Sequence, residues 1–202
     1  ITAEGTSFVK TIANHDVTID GDGTRIWFSR GIPYMIDAKH DVTIRNLKVD
    51  PEIYPGAFSG QAFIMQRKGT KVTLDNVEVM DWRTSHPHNA IIYCDIDHDS
   101  LSSADDFITE ITGCGFSGAV SLAHHGGILN IKDTKVIQRE YGSKLPTIHQ
   151  IDGECNISNS ELVKAPLGTS NENVEYGQCF LLLGENAQFN GQSYNDLMDN
   201  DS

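Results

Sequence analysis

The sequence lacks long apolar runs and stretches with helical periodicity. Hydrophobic residues make up 39% of its 202 residues, yet no run approaches the ~18 consecutive apolar residues of a membrane-spanning helix. No interval between the apolar segments has the roughly 10–15 residues of helical periodicity that a crossover helix between parallel strands needs. The sequence therefore predicts an all-β chain without a membrane span.

Positive charge is also scarce. There are 15 Lys and Arg residues against 28 Asp and Glu, for a net charge of −13. This balance argues against nucleic acid and anionic lipid as partners, and it disfavours acidic polysaccharides unless a cation lies between. The chain starts at Ile1 without a basic-then-apolar leader, so we expect a processed mature protein or a cut piece. We expect it to lie outside the cell or on the cell surface.

A short repeated phrase is what the sequence does contain, and VTIRNLKV (42–49) is its clearest copy. Val42 and Ile44 alternate with polar residues, as on one face of a strand. Asn46 interrupts the alternation, and Leu47 and Val49 resume it one residue out of step. Because Asn tolerates a left-handed backbone, the pattern predicts a bend at this residue with apolar side chains inward on both sides.

The phrase recurs at intervals of 20 to 37 residues, which predicts an array of small repeats. The residues at this position of the seven copies are Ile19, Ile44, Leu74, Ile111, Ile131, Ile157 and Phe189. The residue two positions later is always Gly, Asn or Asp, and these form a predicted ladder of turns: Gly21, Asn46, Asn76, Gly113, Asp133, Asn159 and Gly191.

A second apolar column lies between the copies. Each repeat thus contains two strands, and like strands must stack on like strands in parallel because no helix is available to connect them otherwise. The fourth residues of the intervening runs form this column: Met35, Met65, Tyr93, Leu122, Ile148 and Phe180.

The stacked Val-x-Ile-x-Asn pattern resembles the right-handed parallel β-helix of the pectate-lyase-like superfamily over residues 15–194. The resemblance implies an all-β, single-stranded solenoid. The seven copies of the phrase predict about seven coils, and no helical cap is evident before residue 15 or after residue 194. The length predicts a single domain, 1–202, and its last residues, 195–202, form an acidic tail. Because such folds host lyases, hydrolases, epimerases, adhesins and inert scaffolds, the resemblance does not fix the function.

One candidate catalytic set lies at the end of the second strand of successive repeats, in the predicted register. Arg binds carboxylates, and Asp or His transfers protons, so such a row suits a site for an acidic sugar. The alternative is a structural charge ladder between neighbouring strands. The set is Asp37, Arg67, Asp95 and His124.

A candidate calcium site follows the third of these residues. Asp95, Asp97 and Asp99 alternate, so their carboxylates would share one face of an extended segment, and Ca²⁺ binds oxygen ligands. The complete spacing of a calcium-binding loop is absent. A solvated acidic loop is the alternative, and no other cofactor is predicted.

The four cysteines divide into two pairs. Cys114 and Cys155 fall in inward columns, which predicts buried thiols. Cys94 and Cys179 fall in outward positions several repeats apart, too far for a bridge within the chain. Both are therefore candidates for disulfides to another chain.

Two function classes remain open. A structural module that associates with copies of itself into a filament, sheath or surface layer is favoured, because the open ends of a solenoid need cover and no covering helix is evident at either end of the repeats. The alternative is a polysaccharide lyase or glycoside hydrolase acting along the β-helix face. Exposed aromatic residues such as Tyr54 and Trp82 favour this alternative, but no catalytic motif of a family is present.

Overall fold

The computed structural model describes residues 11–28, 34–51, 62–82, 90–94, 107–118, 122–138, 147–164, 180–183 and 187–193. The regular secondary structure in these ranges consists of strands, and none of the ranges holds a helix that could cross a bilayer. The strands in chain order are β1 (Thr11–Ala13), β2 (Val17–Asp20), β3 (Arg25–Phe28), β4 (Tyr34–Ala38), β5 (Val42–Pro51), β6 (Ala62–Gln66), β7 (Thr70–Trp82), β8 (Ala90–Cys94), β9 (Phe107–Thr112), β10 (Gly115–Gly118), β11 (Leu122–His125), β12 (Ile128–Lys132), β13 (Lys135–Gln138), β14 (Ile148–Ile151), β15 (Glu154–Ser158), β16 (Glu161–Lys164), β17 (Phe180–Leu183), β18 (Gln188–Phe189) and β19 (Gln192–Ser193).

These strands form two sheets, between which the chain passes back and forth. Sheet A has the order β1-β4-β6-β8-β11-β14-β17, and sheet B contains the other twelve strands. Every strand pair is parallel except β18 with β19. The described part of the chain is therefore all-β with parallel sheets, as the sequence predicted, and it is compatible with a β-helix or solenoid.

The register in sheet B confirms the first six copies of the phrase. Ile19, Ile44, Leu74, Ile111, Ile131 and Ile157 lie opposite one another in sequence. In the first copy the residue opposite Val49 is Ile26, which follows Ile19 by seven positions, whereas Val49 follows Ile44 by five. The reason is an insertion: four residues separate Asp20 from Arg25, whereas two separate their partners Arg45 and Lys48.

The seventh copy was assigned wrongly. Phe189 lies opposite Cys155, two positions before the expected partner Ile157. The chain then reverses at Asn190 and Gly191 and forms the antiparallel pair of β18 and β19. The apparent phrase at this point is the Asn-Gly signature of a hairpin, which shares its residue types with the bend.

The predicted column in sheet A was also wrong at two of its steps. Met65 lies opposite Tyr93 as predicted, but it lies opposite Asp37 instead of Met35, and Tyr93 lies opposite Ala123 instead of Leu122. The residues that lie opposite one another are Ile36, Ile64 and Ile92, followed by Leu122, Ile148 and Phe180 as predicted. In β6 every residue is buried, on both faces of the sheet. Because apolar residues occupy both faces, alternation in the sequence does not show which face is inward.

Left-handed backbone marks the predicted bends. The φ angles are 53° at Asn46, 54° at Asn76, 63° at Gly113, 51° at Asp133 and 44° at Asn159. In the first repeat the left-handed residues are Asp22 and Gly23, so the assignment of Gly21 was wrong, and Gly191 (φ 75°) belongs to the hairpin. The two inserted residues explain the displacement in the first repeat.

The core lies between the two sheets. Side chains from both sheets form one apolar cluster, in which Ile44, Leu74, Ile111 and Ile131 are at most 1% exposed. Apolar residues of the first and last repeats pack against the same cluster but remain partly exposed. They are Val17, Ile19, Ile157, Leu162 and Phe189.

Candidate functional site

The four predicted catalytic residues do not form one column. Asp37 lies opposite Met65, which lies opposite Tyr93, while His124 lies opposite Gln150. Asp95 is outside the described residues, as are Tyr54 and the calcium candidates Asp97 and Asp99. Relative to the column of Asp37, Arg67 is displaced by two positions and His124 by one, because the register of sheet A differs from the predicted one.

Asp37 and Arg67 nevertheless meet at the corner after β6. The Arg67 Nε–H donates to Asp37 Oδ1 at 2.5 Å, and the pair is a salt bridge. The backbone N–H of Arg67 donates to the carbonyl of Ala38 at 3.1 Å, and the Thr70 hydroxyl donates to the carbonyl of Arg67 at 2.7 Å. These two bonds hold the arginine backbone so that its side chain reaches the carboxylate.

Burial limits what this pair can do. Asp37 has no exposed surface, whereas the Arg67 side chain is 29% exposed. In this conformation Asp37 cannot contact a dissolved polymer, whereas part of the Arg67 side chain is accessible. Removal of Arg67 would leave a buried carboxylate without this cation, which is strongly destabilising, so the pair has a structural role whatever else it does.

A buried amide beside the same corner was not predicted. The Gln66 amide donates to the carbonyls of Thr70 (2.9 Å) and Ile108 (3.0 Å), and its oxygen accepts from the Thr109 hydroxyl (2.7 Å) and the Cys94 thiol (3.8 Å). The amide thus bonds corner carbonyls that face the core. A glutamine within an apolar run was the available signal in the sequence.

Gln150 repeats this arrangement incompletely. Its amide donates to the carbonyls of Asp152 (2.5 Å) and Gly126 (3.3 Å). Among the described residues its buried oxygen Oε1 has no partner. Leu182 lies opposite Gln150, where Cys94 lies opposite Gln66, so an apolar residue occupies the position of the thiol donor.

Amide side chains at the bends bond along the direction of stacking. Asn76 Nδ2 donates to Asn46 Oδ1 at 2.9 Å, and Asn46 Nδ2 donates to Asp20 Oδ1 at 3.2 Å. The Asn159 amide donates to the Asp133 carboxylate in the same way. Gly113 lies between these two groups and interrupts the ladder because it has no side chain.

A second ladder lies inside three successive bends, those at Gly113, Asp133 and Asn159. The Cys114 N–H donates to Thr134 Oγ1 at 3.2 Å, and the Thr134 N–H donates to Ser160 Oγ at 3.1 Å. The Thr134 hydroxyl in turn donates to the carbonyl of Lys132 at 2.8 Å. These side chains accept from backbone N–H groups that the bend turns away from the regular strand pairing.

Charged side chains on the outer surface also pair across neighbouring strands. The Arg45 guanidinium lies 2.7 Å from Asp20, and the hydrogen bond from Asn46, the Asp22 N–H and this guanidinium together lower the pKa of Asp20. Two further pairs join adjacent strands of sheet B: Lys48 with Glu78 at 3.0 Å, and Lys135 with Glu161 at 2.7 Å.

The described cysteines are all buried thiols. Burial raises the pKa of Cys114 to about 11 and that of Cys155 to about 12, as expected for inward residues. Cys94 is 1% exposed and bonded to Gln66, so its assignment to an intermolecular disulfide was wrong. The register error in sheet A placed it on the outer face. Cys179 lies outside the described residues.

Within the described ranges, no three His, Cys, Asp or Glu side chains come together as a metal site would require. Comparison with protein-family models, with curated proteins and with solved structures gives no match for the chain. In the described residues, polar and charged side chains form hydrogen bonds and ion pairs that join one repeat to the next.

Proposed function

We propose that the chain is a structural module that associates with copies of itself, outside the cell or on the cell surface, into a filament, sheath or surface layer. Its fold in this proposal is a right-handed parallel β-helix of about seven coils, related to the pectate-lyase-like superfamily. The alternation of the chain between two parallel sheets supports this fold. The ladders of hydrogen bonds at the bends, which run along the direction of stacking, support it as well.

The observation that carries the functional proposal is the partial exposure of apolar residues in both terminal repeats. Val17 and Ile19 are partly buried in the first repeat, and Ile157 and Phe189 are partly buried in the last, whereas interior members of the same columns are at most 1% exposed. Exposed apolar surface at the ends of a solenoid favours association, because burying it removes it from water. The ends of a second copy offer surfaces of the same kind.

Such a contact joins two different ends of the molecule. A heterologous contact does not close on itself, so it produces open polymers or large rings. The polymer length then depends on the protein concentration and on the apolar area that each junction buries. Covalent cross-linking through Cys179 is a further part of the proposal, and it applies where the compartment is oxidising.

Replacement of Phe189 by lysine tests the proposal. A charge at the partly buried end would have to be desolvated in the junction, so we expect Phe189→Lys to shift the assemblies to monomers. Met80→Lys is the matched control, because Met80 is 46% exposed and lies in the middle of sheet B. Analytical ultracentrifugation measures both variants. Assemblies of unchanged size in Phe189→Lys, or equal loss in Met80→Lys, would reject the proposed junction.

A carbohydrate-active enzyme is the second candidate, and the partial exposure of the Arg67 side chain favours it. An arginine whose orientation is fixed by a buried carboxylate is suited to binding the carboxylate of a polyuronate. Arg67→Lys retains a cation beside Asp37 but loses the planar fork. Under this candidate the parent chain releases new chain ends from a polyuronate, and Arg67→Lys does so at least tenfold more slowly with the same melting temperature. A parent chain that cleaves none of a panel of polyuronates rejects the candidate.

A further inference from the structure

The last described segment of the chain folds back on itself. Asn190 and Gly191 have φ angles of 47° and 75°, the left-handed values that a two-residue hairpin turn with the Asn-Gly sequence requires. Phe189 lies opposite Gln192, and Gln188 lies opposite Ser193. This is the one antiparallel pair among the strand pairs of the described ranges.

The hairpin is attached to the repeat beneath it. One edge of β18 pairs in parallel with β15. The Asn190 N–H donates to the carbonyl of Cys155 at 2.9 Å, and Asn190 Oδ1 accepts from the N–H of Ile157 at 2.8 Å. Phe189 packs against the apolar core. The turn is therefore fixed by backbone and side-chain bonds, and β19 occupies the other edge of β18.

The position of β19 has a consequence for association. A free strand edge presents N–H and C=O groups with which a strand of another chain can pair. In β18 this edge is used within the molecule, and the new outer edge belongs to a strand of two residues. Very short edge strands are poor templates for further pairing.

We propose that the Asn190–Gly191 hairpin is an intramolecular stop that prevents a second copy of the chain from adding a strand to β18. Copies then meet at this position through side chains alone, and their association remains reversible. The inference rests on the proposed function for its biological meaning. Its physical content, that opening the hairpin creates a pairing edge, holds whether or not the parent chain associates.

Gly191→Val tests the stop, because a β-branched residue is strongly disfavoured at a φ of 75°. Gly23→Val is a matched control. Gly23 has the same φ of 75°, an added Cβ would meet no atom within 4 Å at either glycine, and Gly23 lies in the first repeat, away from the hairpin. Both variants therefore introduce the same local strain, and only one of them opens β18.

We expect Gly191→Val to form assemblies that stay in the pellet after tenfold dilution, with faster hydrogen exchange at Gln192 in the remaining monomer. Parent and Gly23→Val should form no assemblies that survive dilution. Equal behaviour of Gly191→Val and the parent, or of the two valine variants, overturns the inference. A parent that stays monomeric rejects the proposed function, and the comparison of Gly191→Val with that monomer still decides the inference.

A locked hairpin covers the case in which Gly191→Val fails to fold. Gln188 and Ser193 lie opposite each other, at a separation in antiparallel pairs that a disulfide can span. The double variant Gln188→Cys/Ser193→Cys is made in a Cys179→Ser background and compared in oxidised and reduced form. In urea below the unfolding transition, the reduced form should gain assemblies that survive dilution and the oxidised form should not. Identical behaviour of the two forms contradicts the stop.

Discussion

At the scale of single residues, hydrogen bonds between repeats explain why polar residues recur at the bends. A left-handed residue turns its neighbours out of regular strand pairing, and the Asn76 amide outside the bend and the Thr134 hydroxyl inside it supply bonds to adjacent repeats. The side-chain hydrogen bond of Asn76 forms only because Asn46 of the neighbouring repeat offers an acceptor. The residue type at this bend is therefore restricted both by the left-handed backbone and by the side-chain hydrogen bond.

Asn76→Val should therefore destabilise the fold by about 1–3 kcal/mol, because Val is strained at a φ of 54° and cannot bond to Asn46. Asn76→Gly is the control, since it relieves the backbone strain and removes only the bond. Urea denaturation measures both. A Val variant as stable as the Gly variant would contradict the assignment of backbone strain at this position.

The buried thiols predict a loss of stability in alkali. The folded pKa of Cys155 is about 12 and that of Cys114 about 11, both above the ordinary value of 9.0, because burial penalises the thiolate. The unfolded chain loses the thiol protons near pH 9, before the folded chain does. The contribution of the protonated thiols to the free energy of unfolding is therefore complete below pH 9 and is lost as the pH rises toward 11 and 12. Cys155→Ala should flatten the decline of the unfolding free energy above pH 9. A decline that is the same in this variant would contradict the burial of the thiol.

At the scale of structural elements, two successive corners between the sheets, at Gly127 and Gly153, make close backbone contacts. Gly153 has a φ of 72°, and a Cβ there would overlap the carbonyl of Gly127 and lie 2.6 Å from the Gly126 carbonyl carbon. Consecutive corners thus stack backbone on backbone. Side chains are excluded from these contacts.

Gly153→Ala should therefore destabilise the fold by about 3 kcal/mol or more, since the clash adds to the strain of the left-handed backbone. Gly23→Ala, at a φ of 75° with open space around the new Cβ, should cost only about 1–2 kcal/mol. Thermal unfolding of the two variants gives the comparison. Equal losses would show that corner stacking contributes nothing.

How much of each element the sequence predicts depends on how its two faces differ. The strands of sheet B alternate between core and solvent, so the columns through Ile44 and Val49 follow from the sequence alone. In sheet A, Ile64 and Met65 are both buried, and alternation could not tell which one faces the core. The pairing of Asp37 with Arg67 was beyond prediction in detail, because it depends on that register.

At the scale of the whole molecule, charge should oppose association and salt should favour it. The chain carries a net charge of −13, so copies repel one another at low salt. The Debye length falls from about 30 Å at 0.01 M salt to about 8 Å at 0.15 M, which screens this repulsion. We expect larger assemblies at the higher salt concentration, measured by light scattering. Dissociation by salt would indicate a junction held by ion pairs.

The central claim is that the partly exposed apolar ends mark junctions between copies. Sedimentation velocity over a range of protein concentrations, combined with hydrogen exchange at Val17, Ile19 and Phe189, tests it most directly. The account predicts assemblies that grow with concentration and end residues whose exchange slows as the assemblies form. A monomer that persists at the highest concentration, with the amides of both terminal repeats already protected, would contradict the claim.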